Sequence, residues 1–238
     1  MLWYKAWLET RSRFLISLLG IVALCTFIIY HGDRDAMPYT QLPYYYFVLS
    51  SGHAMLCMMW VLAVTLLTMG GLLREKAVGT ASFTLALPVS RARLMRVRIG
   101  MGVMQSLALA IVPWCAMFLT AITTGKANSL GQAWFHVVLL VGGGLVFFGM
   151  SLLVSSLVEG EYTAPVVSFG AMLTMTVVLG DGVLRTFSPF GFITGIAYFD
   201  RRSGLLTGAI PWTHVAVSVA VAALLVGLSV KVVQRREF

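Results

Sequence analysis

Four histidines and a group of sulfur-containing side chains are the residues of this sequence that could bind a metal. The histidines are His31, His53, His136 and His214. All four lie at or near the ends of apolar segments that are predicted to face the outer side of the membrane. The segment that follows His53 adds four soft ligands in its first half, namely Met55, Cys57, Met58 and Met59. Imidazole with sulfur ligands is typical of copper or haem-related sites. However, no two histidines share a segment at ligand spacing, and methionine also packs irregular helix contacts. We therefore expect no metal site.

Side chains for other catalytic chemistry are scarce. The sequence contains no H-E-x-x-H, no G-x-S-x-G and no pair of carboxylates within one apolar segment. It also lacks the G-x-x-x-x-G-K-[ST] loop that holds the phosphates of ATP. The chain is therefore not expected to be an enzyme by itself, or to bind ATP, magnesium or another cofactor.

The composition of the chain indicates a membrane protein. Hydrophobic residues make up 59% of the 238 residues and charged residues 11%, whereas soluble domains carry about 25% charged residues. The net charge of +8 comes from short segments between apolar blocks. That distribution sets the orientation of membrane proteins and argues against nucleic-acid binding. We expect the lipid bilayer to be a partner of the chain.

The apolar blocks predict an all-α integral membrane protein with a single transmembrane domain over residues 1–238. A helix needs about 20 apolar residues to cross the hydrocarbon core. The predicted spans are 14–30, 54–73, 99–124, 134–158, 163–179 and 212–233. Between the last two, the apolar core 187–199 is too short to span and is broken by proline and glycine. It predicts an outer re-entrant hairpin before span six.

Residues 2–13 predict a helix that lies in the membrane interface. Trp3, Trp7 and Phe14 fall on one face of this helix, and Lys5 and Glu9 fall on another. The alternative is that these residues extend the first span.

The basic residues predict the orientation, because six spans place both termini on the same side. Twelve lysines and arginines lie on that side, at Lys5, Arg11, Arg13, Arg74, Lys76, Arg91, Arg93, Arg96, Arg98, Lys231, Arg235 and Arg236. Five lie on the other side, at Arg34, Lys126, Arg185, Arg201 and Arg202. The positive-inside rule then predicts that both termini are cytoplasmic and that the chain is a multi-pass protein of the inner (plasma) membrane.

Small residues in the fourth predicted span indicate close helix packing. Gly142, Gly143 and Gly144 are consecutive, and Ser151 and Ser155 follow four residues apart. Such residues let helix backbones approach each other, within one chain or across a dimer.

The longest predicted cytoplasmic connection joins spans two and three. It is a short amphipathic element that Pro88 terminates. Ser90 then has the position and type of a cap for a helix that runs through basic residues into span three. An apolar helix here suits docking to another protein, and the arginines 91–98 would equally suit anionic lipid head groups.

The pattern in this connection resembles the signature of type-2 ABC (ATP-binding cassette) transporter permeases. Its residues are Glu75, Gly79-Thr80 and Leu87-Pro88-Val89-Ser90-Arg91. The helix before span one and the hairpin before span six are similar to that family as well. The resemblance implies a dimer of permeases, as a homodimer or a heterodimer, with each copy docked on a separate ATPase subunit that holds ATP and Mg.

The resemblance also implies which residues contact the ATPase. The segment between spans two and three would be the coupling helix, and its contact residues would be Glu75, Gly79, Thr80, Phe83 and Leu87. Many family members have acidic residues after the Gly-Thr pair, where this chain has Ala81-Ser82-Phe83. Glu159 and Glu161, in the turn between spans four and five, form a second acidic contact or simply keep that turn in water.

The expected function is the permease subunit of an ABC exporter. Because the spans contain almost no charge, a drug, peptide or lipid of amphipathic character fits better as cargo than an ion does. Two alternatives stay open from the sequence. One is a membrane subunit that handles metal or haem through the histidines, and the other is a membrane scaffold that needs no ATPase.

Overall fold

The computed structural model describes residues 2–31, 44–68, 90–123, 130–158, 163–178, 188–195, 198–200, 205–206 and 209–235, and most of them are helical. In chain order the helices are α1 (Leu2–His31), α2 (Tyr44–Leu67), α3 (Arg91–Thr123), α4 (Leu130–Leu157), α5 (Thr163–Val178), α6 (Pro189–Ile193) and α7 (Trp212–Arg235). Two short strands, β1 (Phe199–Asp200) and β2 (Leu205–Leu206), lie between α6 and α7.

Four of these helices are long and apolar enough to cross a membrane, by length and composition: α1, α3, α4 and α7. They carry the first, third, fourth and sixth predicted spans. The second and fifth predicted spans fall on α2 and α5, whose described apolar stretches, His53–Leu67 and Pro165–Met175, are shorter. The chain is therefore a helical membrane protein, and the number of six spans stays a prediction.

The first helix is one continuous element from Leu2 to His31. No proline or glycine occurs between Leu2 and Leu19 to interrupt it. The predicted interfacial helix 2–13 is thus not a separate element but an extension of the helix that carries the first span. Its 30 residues give a length of about 45 Å, which exceeds the ~30 Å hydrocarbon core.

A hydrogen bond joins α1 to α3. The side-chain amide of Gln105 on α3 donates to Thr10 Oγ1 on α1 at 2.8 Å.

Helix α4 forms the centre of the protein. Within its most apolar window 61% of the residues are buried, whereas the figure for α1 and α7 is 11%. The glycine triplet explains this packing, because a Cβ on each glycine would meet a different neighbour. At Gly142 it would lie 2.8 Å from Val215 on α7, at Gly143 it would lie 2.5 Å from Phe192 on α6, and at Gly144 it would overlap Trp60 on α2. The predicted close approach is therefore confirmed, between helices of the same chain.

The described segment before α7 consists of short elements that pack against α4. Pro189 opens α6, and Ser188 Oγ caps it by accepting a hydrogen bond from Gly191 N at 3.2 Å. The strands pair antiparallel, with Phe199 opposite Leu206. The side-chain amide of Gln132 on α4 bonds both the N–H and the carbonyl of Leu206, each at 3.0 Å. These elements are too short to span a bilayer, as the sequence predicted for this segment.

Candidate functional site

Three aromatic side chains with polar atoms meet inside the apolar bundle. His53 of α2, Trp114 of α3 and His136 of α4, here called the buried ring cluster, are between 1% and 4% exposed. The His53 and His136 ring centroids are 4.1 Å apart, and the Trp114 ring stacks on His136 at 5.1 Å with an interplanar angle of 10°. Ring packing therefore joins three helices at this point.

The buried ring cluster also holds the short helix α6. Because a carbonyl oxygen can only accept, His53 Nε2–H is the donor in the 3.0 Å hydrogen bond to the carbonyl of Ile193. Cys57, one turn along α2, places Sγ 3.5 Å from the same oxygen and 3.4 Å from His53 Nε2. Ile193 is the last residue of α6, where helix carbonyls lack partners inside the helix. His53 thus satisfies that helix end and anchors it to α2.

Two polar atoms of the cluster have no hydrogen-bond partner within the described part of the chain. They are Trp114 Nε1 and His136 Nδ1, and both are shielded from solvent. Most buried polar atoms in native proteins are paired, and an unpaired one costs about 1–3 kcal/mol. The cluster therefore combines strong packing with unused hydrogen-bonding capacity, and intramembrane histidines with these properties often mark functional sites.

No local pattern in the sequence indicates this cluster, because its residues come from three helices that are distant along the chain. The histidines are also candidate metal ligands, but within the described residues no group of three or more His, Cys, Asp or Glu side chains can hold a metal ion. Met55 and Met58 are exposed and do not belong to the cluster. His214 lies on α7, where its ring stacks on Phe192 at 6.0 Å.

A second polar site lies at the other end of α2 and is here called the polar node: Thr65, Thr68, Arg98, Ser151 and Ser155. The carbonyl of Thr68 accepts hydrogen bonds from Arg98 Nη2 of α3 and from Ser155 Oγ of α4, both at 3.1 Å. The Thr68 hydroxyl donates to the Thr65 carbonyl at 2.7 Å and lies 2.5 Å from Ser151 Oγ. These partners satisfy the last carbonyls of α2 and join it to α3 and α4.

The polar node adjoins the segment in which the sequence predicts a partner contact. Glu75, Gly79, Thr80, Phe83 and Leu87 follow Thr68 along the chain and lie outside the described residues, and Glu159 and Glu161 do so as well. The end of the segment is described. Ser90 Oγ accepts a hydrogen bond from Arg93 N at 3.3 Å, and α3 begins at Arg91. The predicted helix cap at Ser90 is therefore confirmed.

Comparison with known proteins yields no match to a family model, a curated protein or a solved structure. The function therefore has to be inferred from the residues and their geometry.

Proposed function

We propose that this chain is the transmembrane permease subunit of an ABC exporter, and that a separate ATPase subunit drives it. The observation that carries the proposal is the segment between α2 and α3, with Glu75, Gly79-Thr80 and the run from Leu87 to Arg91. Its resemblance to the coupling segment of type-2 ABC permeases supplies the assignment. The polar node supports it, because Thr68 and Ser90, on either side of the segment, make specific contacts.

The charges near this segment favour a cytoplasmic position. Arg93 and Arg96, in the first turns of α3, are exposed, and the positive-inside rule places such clusters in the cytoplasm. Both chain termini share that side in the proposed six-span topology. The ATPase, which is a cytoplasmic protein in this class of transporter, would then meet residues 74–87. Glu159 and Glu161 would form a second contact on the same side.

The polar node gives a physical route from the coupling segment to the membrane helices. A displacement of residues 69–89 acts first on Thr68, whose carbonyl is bonded to Arg98 of α3 and to Ser155 of α4. The bond from the charged Arg98 guanidinium contributes about 1.5–3 kcal/mol, and the neutral bond from Ser155 contributes about 0.5–1.5 kcal/mol. Motion of α2 at this end is therefore transferred to α3 and α4 and does not stop at one helix.

The assembly that follows from the proposal has two permeases and two ATPase subunits. The second permease is another copy of this chain or a sister chain, and ATP and Mg bind in the ATPase subunits. Closure of the ATPase pair would switch a cavity between the permeases from inward to outward access. The scarcity of charge in the spans favours an amphipathic cargo such as a drug, peptide or lipid.

The test is co-purification of the tagged chain from its native membrane in mild detergent, followed by mass spectrometry. We expect a stoichiometric partner with a phosphate-loop motif. Gly79→Trp should remove this partner, because a bulky ring at the proposed contact prevents docking. Gly170→Trp is the matched control, since Gly170 of α5 has no atom of a neighbouring residue within 4 Å of a built Cβ.

Three results would contradict the proposal. One is the absence of an ATPase in several detergents. Another is an ATPase that remains bound to the Gly79→Trp variant in full amount. The third is an equal loss of the partner in the Gly79→Trp and Gly170→Trp variants, which would indicate a general loss of structure.

A further inference from the structure

A cavity of about 390 Å³ lies between α4, α6 and α7. Its apolar wall comes from Val146 of α4, Phe192 of α6, and Val217 and Val221 of α7. Its volume exceeds the ~150 Å³ that suffices for benzene in an engineered protein cavity. It lies at the lower end of the ~300–1,000 Å³ that small-molecule sites occupy. The cavity thus has room for one flexible apolar chain.

Polar groups are concentrated where the cavity meets the start of α7. Thr213 and His214 belong to the first turn of this helix, Ser218 to the next, and Val221 follows one turn further. Val221 lies seven positions after His214, which corresponds to about 10 Å along the helix. The wall therefore changes from hydrogen-bonding to purely apolar over the length of a short hydrocarbon chain.

Ser188 is a polar residue built into this wall. It is 4% exposed, and its Oγ accepts the hydrogen bond from Gly191 N at 3.2 Å. Its hydroxyl hydrogen can still donate to a bound group, because a hydroxyl donates one bond and accepts two. None of the described residues that line the cavity is Asp, Glu, Lys or Arg. The chemistry fits an uncharged chain with a head group that accepts hydrogen bonds.

The environment of α7 identifies what reaches this cavity. Around it the helix exposes large apolar side chains, with Val217 63% exposed, Leu224 68% and Leu228 49%. Such a surface on a membrane-spanning helix contacts lipid hydrocarbon. Trp212, 60% exposed at the first position of α7, is typical of the head-group level of a bilayer. Thr213 and His214 follow it directly, so the polar part of the cavity lies at the depth of lipid head groups.

We propose that this cavity binds one lipid of the surrounding bilayer, with an acyl chain along Val146, Val217 and Val221 and the head group at Ser188, Thr213 and His214. The lipid lies between α7 and the short helix α6, whose other side is bonded to His53. The site is independent of the ATPase and of the transport proposal.

The test uses a phosphatidylcholine with a photoactivatable diazirine on its acyl chain, at trace level in vesicles of unlabelled phosphatidylcholine that contain the intact chain. After illumination, mass spectrometry locates the adducts. We expect them to be enriched several-fold at the lining residues of α4, α6 and α7 over the exposed face of α7 around Val219 and Ala223, which does not line the cavity. Ser218→Phe fills the cavity and should abolish this enrichment, and Ser218→Ala should preserve it.

Ala220→Phe is the matched control, because Ala220 is exposed on the same helix and does not line the cavity. The Ala220→Phe variant should show the same enrichment of lipid adducts as the unmodified chain. Val221→Phe is a second filling variant at a residue that is itself 39% exposed. It should lose the enrichment even if Ser218→Phe does not fold.

Equal labelling of the cavity and the exposed face of α7 would overturn the proposal, because it would indicate general lipid contact only. So would enrichment that survives both filling variants. A second copy of the chain in the cavity would also overturn it. That arrangement would give a dimer when Ser218→Cys is crosslinked and no lipid adducts at the lining residues.

Discussion

His53 and His136 occupy positions where an apolar bundle ordinarily has aliphatic side chains. Each is almost completely buried. The His136 imidazole is stacked on the Trp114 ring, and the His53 imidazole lies tilted against the same ring. Burying polar groups is unfavourable unless hydrogen bonds compensate for the lost water. The bond from His53 to the Ile193 carbonyl provides part of that compensation. At the scale of single residues, the cluster therefore connects α6 to the core of the bundle.

Replacement of His53 by alanine should destabilise the protein. The Ile193 carbonyl would lose its donor, which costs about 1–3 kcal/mol, and the rings of Trp114 and His136 would border a void. We expect a clearly lower midpoint of thermal unfolding in detergent. Leu224→Ala is the control, because Leu224 is 68% exposed on α7 and its replacement should change the midpoint little. Equal midpoints for the His53→Ala and unmodified proteins would contradict the assigned hydrogen bond.

Glycine substitutions test the packing of α4 at the same scale. A Cβ at residue 144 would overlap the Trp60 ring, so Gly144→Ala should destabilise by about 1–3 kcal/mol. Gly227→Ala should do the opposite, because nothing lies within 4 Å of its built Cβ and alanine favours a helix by about 0.5–1 kcal/mol. Denaturant or thermal unfolding measures both. The same sign of change for the two variants would show that the helix contact is misassigned.

At the scale of elements, α2 is anchored to its neighbours at two points along its length. One anchor is the buried ring cluster with α6, and the other is the polar node with α3 and α4. The coupling proposal depends on the second anchor, because the segment 69–89 continues directly from Thr68. If this segment receives force from an ATPase, the hydrogen bonds of Thr68 should be needed to transmit that force to α3 and α4.

Thr68→Val tests that requirement, because valine keeps the shape and removes the hydroxyl that contacts Thr65 and Ser151. We expect the ATPase to co-purify in the normal amount, while the permease-dependent part of its ATP hydrolysis in proteoliposomes falls several-fold. Thr174→Val is the control, because the Thr174 hydroxyl is exposed and donates to the Gly170 carbonyl of its own helix. Unchanged ATP hydrolysis in the Thr68→Val complex would remove the Thr68 hydroxyl, with its contacts to Thr65 and Ser151, from the coupling route.

Local sequence patterns predicted several elements and missed others, for physical reasons. The Ser90 cap and the close approach at Gly142–144 depend on neighbouring residues or on the lack of a side chain, and both were predictable. The continuity of α1 was misjudged, because aromatic and charged faces suggested an interfacial helix while no breaker residue separates it from the span. The buried ring cluster depends on tertiary packing of residues 53, 114 and 136, which no local pattern encodes.

At the scale of the whole molecule, the apolar helices establish a membrane protein, and the proposed function rests on one segment of sequence. Under this proposal, residues 74–87 contact a partner that binds ATP. The polar node, the lipid site and the buried ring cluster are consistent with a chain that moves within a membrane.

The most direct measurement is site-specific photocrosslinking in the native membrane, with a benzophenone amino acid in place of Phe83. We expect one dominant adduct with a protein that carries a phosphate-loop motif. The same probe at Phe27, which is 58% exposed on α1 within the predicted first span, should not form this adduct. Adducts of the Phe83 probe with lipid alone, or with the same proteins that the Phe27 probe captures, would contradict the assignment of this chain as an ATPase-coupled permease.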